Sequence, residues 1–257
     1  MSVEFSRVHI EPAYRKVAAA IGTRILSRAL REGERLPPET ELARQFGVNR
    51  STVREALREL ESRGLLRRRP GSKLMAVSRP QQSAVAAGVS HALLLNDVTV
   101  RDLWEALTML EPPLTAAAAR ARSRADVEAL RKATAAFTTD QPALPAAHAT
   151  AEFFRAIARA THNPVLGLAQ EPLLQLLEPS LAAMIDRVPQ ARARIATAQR
   201  RLLEALEARD ADGAGEWMAR HIRDFRKGFE LAGIDFEMRV SSRPVTAGAV
   251  PVRDGGL

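Results

Sequence analysis

Phe46-Gly47-Val48-Asn49-Arg50-Ser51-Thr52-Val53-Arg54-Glu55-Ala56-Leu57 decides the fold of the first third of the chain. Gly47-Val48 reads as a tight turn, and Asn49 to Ser51 offer capping side chains for a helix that runs to about Arg63. On that helix Val53, Leu57 and Leu60 recur at i, i+4 and i+7, so one face packs. Arg50, Ser51, Thr52, Arg54, Arg58 and Glu61 lie away from it and make the outer surface strongly polar.

Upstream, Val17, Ile21, Ile25 and Leu30 predict a helix from about Ala13 to Leu30, stopped before Glu32-Gly33 and the turn Leu36-Pro37-Pro38. A short second helix follows from about Glu39 to Phe46, with Leu42, Ala43 and Phe46 on its apolar side. Downstream, Leu65-Leu66 leads through Arg67-Arg68-Arg69 and Pro70-Gly71 to Leu74-Met75-Ala76-Val77, a two-stranded hairpin with a basic tip. Three helices, a glycine turn and a basic hairpin make a winged helix-turn-helix, whose third helix enters the major groove of DNA. Arg50 and Arg54 are four apart and project from one side, where a guanidinium can pair with guanine O6 and N7. Ser51 and Thr52, at the first turn, suit phosphate oxygens. Gly71 allows close backbone approach to the duplex, and Lys73 neutralises phosphate. Lys73→Ala is therefore expected to flatten the salt dependence of DNA binding by about one unit of slope, read from affinities across a salt series.

The order Arg35-Leu36-Pro37-Pro38-Glu39, Glu41-Leu42-Ala43, Phe46 to Leu57, then Leu60-Glu61-Ser62-Arg63-Gly64-Leu65-Leu66 resembles the GntR family of bacterial repressors, over about Tyr14 to Val77. The resemblance implies that Arg50, Arg54 and Gly71 touch bases or groove and that Ser51 and Thr52 hold phosphates. It also marks a departure. The family often carries arginine where this chain has Thr40, so a contact at the start of the second helix is lost or altered.

Charge agrees with this placement. The 257 residues carry 38 Lys+Arg and 30 Asp+Glu, a net +8. Residues 1–78 hold 16 basic and 9 acidic side chains (+7), and residues 79–257 hold 22 and 21 (+1). A segregated excess of this kind points to a polyanion, nucleic acid or an anionic membrane. Without cysteine there is no disulfide framework, thiolate zinc site or cysteine nucleophile. Neither a signal peptide nor an apolar run of about 18 residues is evident, so a cytoplasmic protein with no membrane partner is expected.

Residues 10–78 form the expected DNA-binding domain and residues 79–84, rich in Ser, Gln and Pro, the linker. An all-α bundle of about six or seven helices over 85–233 follows, and residues 241–257 read as a disordered tail. The fold class is thus mainly α, a winged helix-turn-helix followed by a helical bundle. Asp102-Leu103-Trp104-Glu105-Ala106, Leu110-Glu111, Phe153, Ile157 to Thr161, Asn163-Pro164, Leu202 to Leu206, Asp210, Met218 and His221 resemble the helical FCD effector domain of the FadR-type branch. Many such domains hold a divalent metal through one Asp and three His. Those positions here are Thr150, Phe154, Gln199 and His221, so no metal or other cofactor is expected. Where relatives place a carboxylate-gripping arginine, this chain has Leu107. With Trp104, Leu107, Thr150, Phe153, Phe154, Gln199 and His221 as candidate pocket residues, the expected effector is hydrophobic, of the acyl-CoA or lipid-derived kind; equally, these apolar residues suit a packed core.

No phosphate loop, HExxH pair or G-x-S-x-G elbow points to an enzyme, and Glu105 and Glu111 do not share a helix face. The reading is a homodimeric, ligand-responsive repressor on a near-palindromic operator. Alternatives are an activator or dual regulator of the same fold, a non-specific architectural DNA binder, and a membrane-surface protein.

Overall fold

The computed structural model describes residues 11–68, 71, 74–80 and 82–241. The chain separates into two compact units, 1–81 and 82–257.

In the first unit, helices α1 (Ala13–Leu26), α2 (Glu39–Phe46) and α3 (Arg50–Ser62) are followed by strands β1 (Leu66–Arg68) and β2 (Met75–Val77). Helix α1 ends four residues before Leu30. Ser27 caps it and Arg28 turns to φ 62°, which brings Leu30 back against the core from outside the helix. Val17 and Ile21 of α1, Leu42 of α2, Val53, Leu57 and Leu60 of α3, and Leu66, Met75 and Val77 of the hairpin form one buried cluster. The strands pair antiparallel with Leu66 opposite Val77 and Arg68 opposite Met75, placing apolar side chains inward and Arg67 and Arg68 in solvent. A third edge joins them: Arg35 bridges Ala76, and the Leu36 N–H donates to the Met75 carbonyl at 2.9 Å. The sequence reading left this stretch as a turn, because one bridging residue carries no alternation to read.

The second unit contains α4 (Gln82–Leu95), α5 (Val100–Ala121), α6 (Arg124–Ala136), α7 (Ala143–Ala160), α8 (Pro164–Arg187), α9 (Ala191–Ala208) and α10 (Ala211–Leu231). Capping boxes start two of these helices, Thr99 with Asp102 on α5 and Ser123 with Asp126 on α6. Three expected boundaries move. Helix α4 begins at Gln82 and takes in half of the stretch 79–84 read as linker: Ser and Gln lower helix propensity only slightly, and packing of Ala86 and Ser90 decides. The stretch from Asp140 to Pro145 reads in the sequence as a break with a helix from about residue 146, but α7 begins at Ala143, since proline in a first turn gives up an N–H that has no intrahelical partner. The unit also continues past residue 233. Val100 and Arg101 donate to the Met238 and Phe236 carbonyls, both at 2.9 Å, and Val240 donates to Val98 at 2.8 Å. Residues 242–257, read as a disordered tail, lie outside the described residues.

The core between α5, α7, α8, α9 and α10 is built on Leu107, Leu114, Phe153, Phe154, Ile157, Leu174, Leu202, Met218, Phe225 and Phe229.

Candidate nucleic-acid interface and effector core

Helix α3 presents Arg50, Ser51, Arg54, Arg58 and Glu61 to solvent, with Thr52 partly exposed. Gly47 ends α2 in the left-handed region (φ 64°), the conformation that turns the chain into α3 and that a side chain resists. Asn49 is the N-cap of α3, but its side chain makes no capping bond, contrary to the capping role read from Asn49 to Ser51. The first N–H groups of α3 therefore have no side-chain acceptor, which suits an incoming phosphate. Thr40 stands exposed at the second residue of α2. Gly71, at the wing tip, has φ 75°, with nothing within 4 Å of where a Cβ would stand. The glycine answers to backbone conformation there, not to crowding. Lys73 and Arg69 lie outside the described residues.

The two arginines expected to read bases differ. No described hydrogen bond or ion pair engages Arg50, whereas Arg54 is held by Glu39, the first residue of α2, with Nη2 donating at 2.8 Å and Nε at 3.2 Å to Oε2. The hydrogen bond from Arg54 holds the Glu39 carboxyl below the usual carboxylate range, and Arg50 and Arg68 add to the effect. Sequence reasoning missed Glu39. The signal was its place fifteen residues before Arg54, across the α2–α3 turn.

In the helical unit the candidate residues divide. Thr150, Phe153, Phe154, Gln199 and His221 are buried on α7, α9 and α10, and Leu107 is buried on α5. Phe154 lies 5.9 Å from His221 and 6.2 Å from Phe225 between ring centroids, and His221 lies 4.4 Å from Phe225. Trp104, on α5, is partly buried and donates its indole N–H to the Ile222 carbonyl at 3.1 Å. Two narrow recesses stand either side of Phe225: about 20 Å³ beside His221, Met184 and Ile195, and about 10 Å³ beside Trp104, Leu107 and Ser180. Thr150, Phe153, Phe154 and Gln199 line neither recess, and Phe153 and Phe154 are fully buried in the core.

That core contains polar atoms without partners. Both amide atoms of Gln199, Nε2 of His221 and Oγ of Ser180 are buried and make no hydrogen bond. Burial pushes the His221 imidazole down to about 4, so it is neutral at pH 7. Nearby on α5, Glu111 is fully buried, its two carboxyl oxygens accepting from Nε2 of Gln170 at 3.0 and 3.1 Å. Burial pushes Glu111 up to about 8. The Gln170 amide also donates to the Phe154 carbonyl at 3.3 Å, which ties this carboxyl to the aromatic cluster.

The four positions compared with metal ligands carry a weak donor set. Thr150 donates its hydroxyl to the Ala146 carbonyl at 2.9 Å, Phe154 has no donor atom, and Gln199 offers a weak neutral amide, so His221 alone is a good ligand. No group of three or more His, Cys, Asp or Glu able to hold a metal occurs among the described residues.

A recess of about 820 Å³ was not anticipated. It lies between α7 and α8, with Gln82 and Ser83 of α4 at one side. At its centre Arg155 donates to Glu171 (2.7 Å), Glu178 (2.8 Å) and Glu152 (2.9 Å), with His148 beside Glu178 at 3.3 Å. Glu171 and Glu178 are seven apart on α8, a helical spacing that was visible without any sign that Arg155 of α7 would lie between them. The guanidinium meets three carboxylates, so it is a cross-link of α7 to α8 and not a free anion hook.

Residues 13–74 match the family model described as bacterial regulatory proteins, gntR family, and residues 102–224 match the FCD domain. The chain belongs to the GntR family. It is a DNA-binding transcriptional regulator with an FCD domain, not an enzyme. Relatives include the putative L-lactate dehydrogenase operon regulatory protein of Escherichia coli K12, 28% identical over 80% of this chain and 82% of that one. The Uxu operon transcriptional regulator of the same strain is 32% identical over 60% of each chain, and its Glc operon transcriptional activator 27% identical over 84% of this chain and 88% of that one. Among solved structures, Streptococcus agalactiae GntR is similar in fold, with a TM-score of 0.59 at 22% identity, covering 83% of this chain and 99% of that one. GntR regulators bind DNA and FCD domains bind small-molecule effectors, which divides the labour of this chain between its two units. No helix among the described residues is long and apolar enough to cross a membrane.

Proposed function

We propose that this GntR regulator is a cytoplasmic homodimer that represses from a near-palindromic operator and is released by a small molecule held, without a metal, in the α5–α7–α9–α10 core. Each protomer lays α3 in one half-site, with Arg50 and Arg54 on base edges, Ser51, Thr52 and the uncapped start of α3 on phosphate, and Gly71 and Lys73 of the wing against the backbone. Ligand and DNA weaken each other's binding, as linkage requires of an allosteric pair.

The observation that carries the effector assignment is the set of unpartnered buried atoms on Gln199, His221 and Ser180. A buried amide without hydrogen bonds costs stability, so a partner that completes them gains what the free protein lacks. These groups are neutral, with His221 beside Phe154 and Phe225 and Ser180 beside Leu107 and Phe225, which supports a largely apolar ligand carrying a hydrogen-bonding group. The narrow recesses mean that the core must widen around it. Titrating the purified protein with small carboxylates and with acyl-CoAs in a thermal-unfolding assay tests the assignment. Acyl-CoAs are expected to raise the melting temperature and release operator DNA. Stabilisation by small carboxylates alone overturns the apolar assignment.

Activation is the second reading. It is favoured by the relative named as the Glc operon transcriptional activator. Transcription from the bound promoter, with and without ligand, separates the two.

A further inference from the structure

We propose that Glu39 is a positioning residue for sequence reading: it holds Arg54 by one edge and thereby aims the other edge at a guanine. The proposal rests on the DNA-reading assignment above and deepens it.

A guanidinium has two edges that can form a two-pronged contact. The side edge consists of Nε with one Nη, and the end edge consists of the two Nη groups. Glu39 occupies the side edge. Its Oε2 accepts from Nη2 at 2.8 Å and from Nε at 3.2 Å, with Oε1 3.4 Å from Nε. Nη1 takes part in no described bond, so the end edge, Nη1 with the remaining N–H of Nη2, stays available. Two parallel donors on that edge are what guanine O6 and N7 accept.

The pair is poorly explained as a stability device. Arg54 keeps half of its side-chain surface exposed (51%), and exposed ion pairs contribute little to folding. Its placement is better explained by recognition. Glu39 opens α2, Arg54 lies one turn beyond Arg50 on α3, and both line a recess of about 370 Å³ with Arg58 of α3 and Arg68 of β1. A long, half-exposed side chain with Arg58 and Arg68 lining the same recess would otherwise sample many rotamers. The carboxylate selects one before DNA arrives, so that ordering is not charged against binding. The same carboxylate repels phosphate, which penalises registers in which Arg54 meets backbone instead of a base. Thr40, next in sequence, is too short to take over this tether.

The test begins by selecting the preferred duplex of the full-length wild-type protein from randomised DNA, then measures affinities for that duplex, for a copy with the Arg54-dependent guanine replaced, and for random DNA. Glu39→Ala is expected to lower the ratio of preferred to guanine-replaced DNA by about tenfold or more. Binding to random DNA should be unchanged or tighter. In an Arg54→Ala background the same change should have no further effect on the ratio, and Glu39→Gln, which retains an acceptor for Nε, should fall between wild type and Glu39→Ala. Unfolding temperatures of both Glu39 variants should stay near that of the wild type, and the Glu39→Gln ratio decides the matter if the alanine variant does not fold. A ratio unchanged by either variant, or one lowered independently of Arg54, overturns the proposal. So does a rise in the ratio, which would make Glu39 a competitor of DNA for Arg54. If the wild type prefers no sequence, the regulator reading fails and takes this proposal with it; a wild-type preference that survives Glu39→Ala overturns the proposal alone.

Discussion

Glu111→Gln is expected to remove a pH dependence from the stability of the helical unit and to make it more stable than wild type at pH 8. Glu111 is wholly buried, and its carboxyl receives one donor, the Gln170 amide, on both oxygens. Burial raises its folded-state value to about 8 from an ordinary 4.5. Between those values the folded chain holds a proton that the unfolded chain releases, so stability falls as pH rises. The limiting slope is about 1.4 kcal/mol per pH unit for one group, which accumulates to several kcal/mol on crossing the window. Below pH 4.5 both states are protonated and the contribution is constant. Glutamine has nearly the shape of the protonated acid, accepts from Gln170 through its carbonyl, and does not titrate. Urea denaturation at pH 4, 6 and 8 should show wild-type stability declining relative to the variant, with the curves converging at pH 4. Parallel curves would mean that Glu111 is solvated in the folded protein.

Arg54→Ala is expected to cost about 1 to 3 kcal/mol of operator binding and to relax sequence preference at one base pair per half-site. Removing the guanidinium also leaves Glu39 facing the DNA without its counter-charge, so the loss on the preferred duplex should lie in the upper part of that range. Random DNA should lose much less, because a phosphate contact, unlike a base contact, is insensitive to sequence. Competition binding with preferred and random duplexes provides the measurement. An equal loss on both would assign Arg54 to phosphate and leave base reading to Arg50, which no described hydrogen bond or ion pair engages.

Much of the DNA-binding unit is legible from local pattern. Val53, Leu57 and Leu60 repeat with the helical period, Gly47 and Gly71 need conformations that other residues resist, and the basic pair Arg67 and Arg68 follows the buried Leu66 on the wing strand. These are properties of neighbours in sequence. The bridge at Arg35 and the tether at Glu39 are not: both pair residues from different elements, and neither leaves a periodic trace. In the helical unit the break positions at Ser123, Asn163 and Asp210 could be read from capping chemistry, and all three side chains do cap. The pocket could not be read. Leu107, Phe153 and Phe154 look the same in a cavity wall and in a packed core, since apolar burial rewards both.

Local pattern alone specifies a GntR winged helix-turn-helix with most of the net positive charge in the first 78 residues, followed by a nearly neutral helical FCD bundle. Periodicity, turn residues and capping are local, and charge is additive along the chain. It takes the packed molecule to show that Arg54 is held while no described bond engages Arg50, that Arg155 is ringed by three carboxylates, and that Gln199 and His221 are buried with polar atoms that bond to no described residue. Each depends on which helices meet and how deeply a side chain is withdrawn from water. Desolvation and pairing belong to that arrangement, and no residue carries them in its identity.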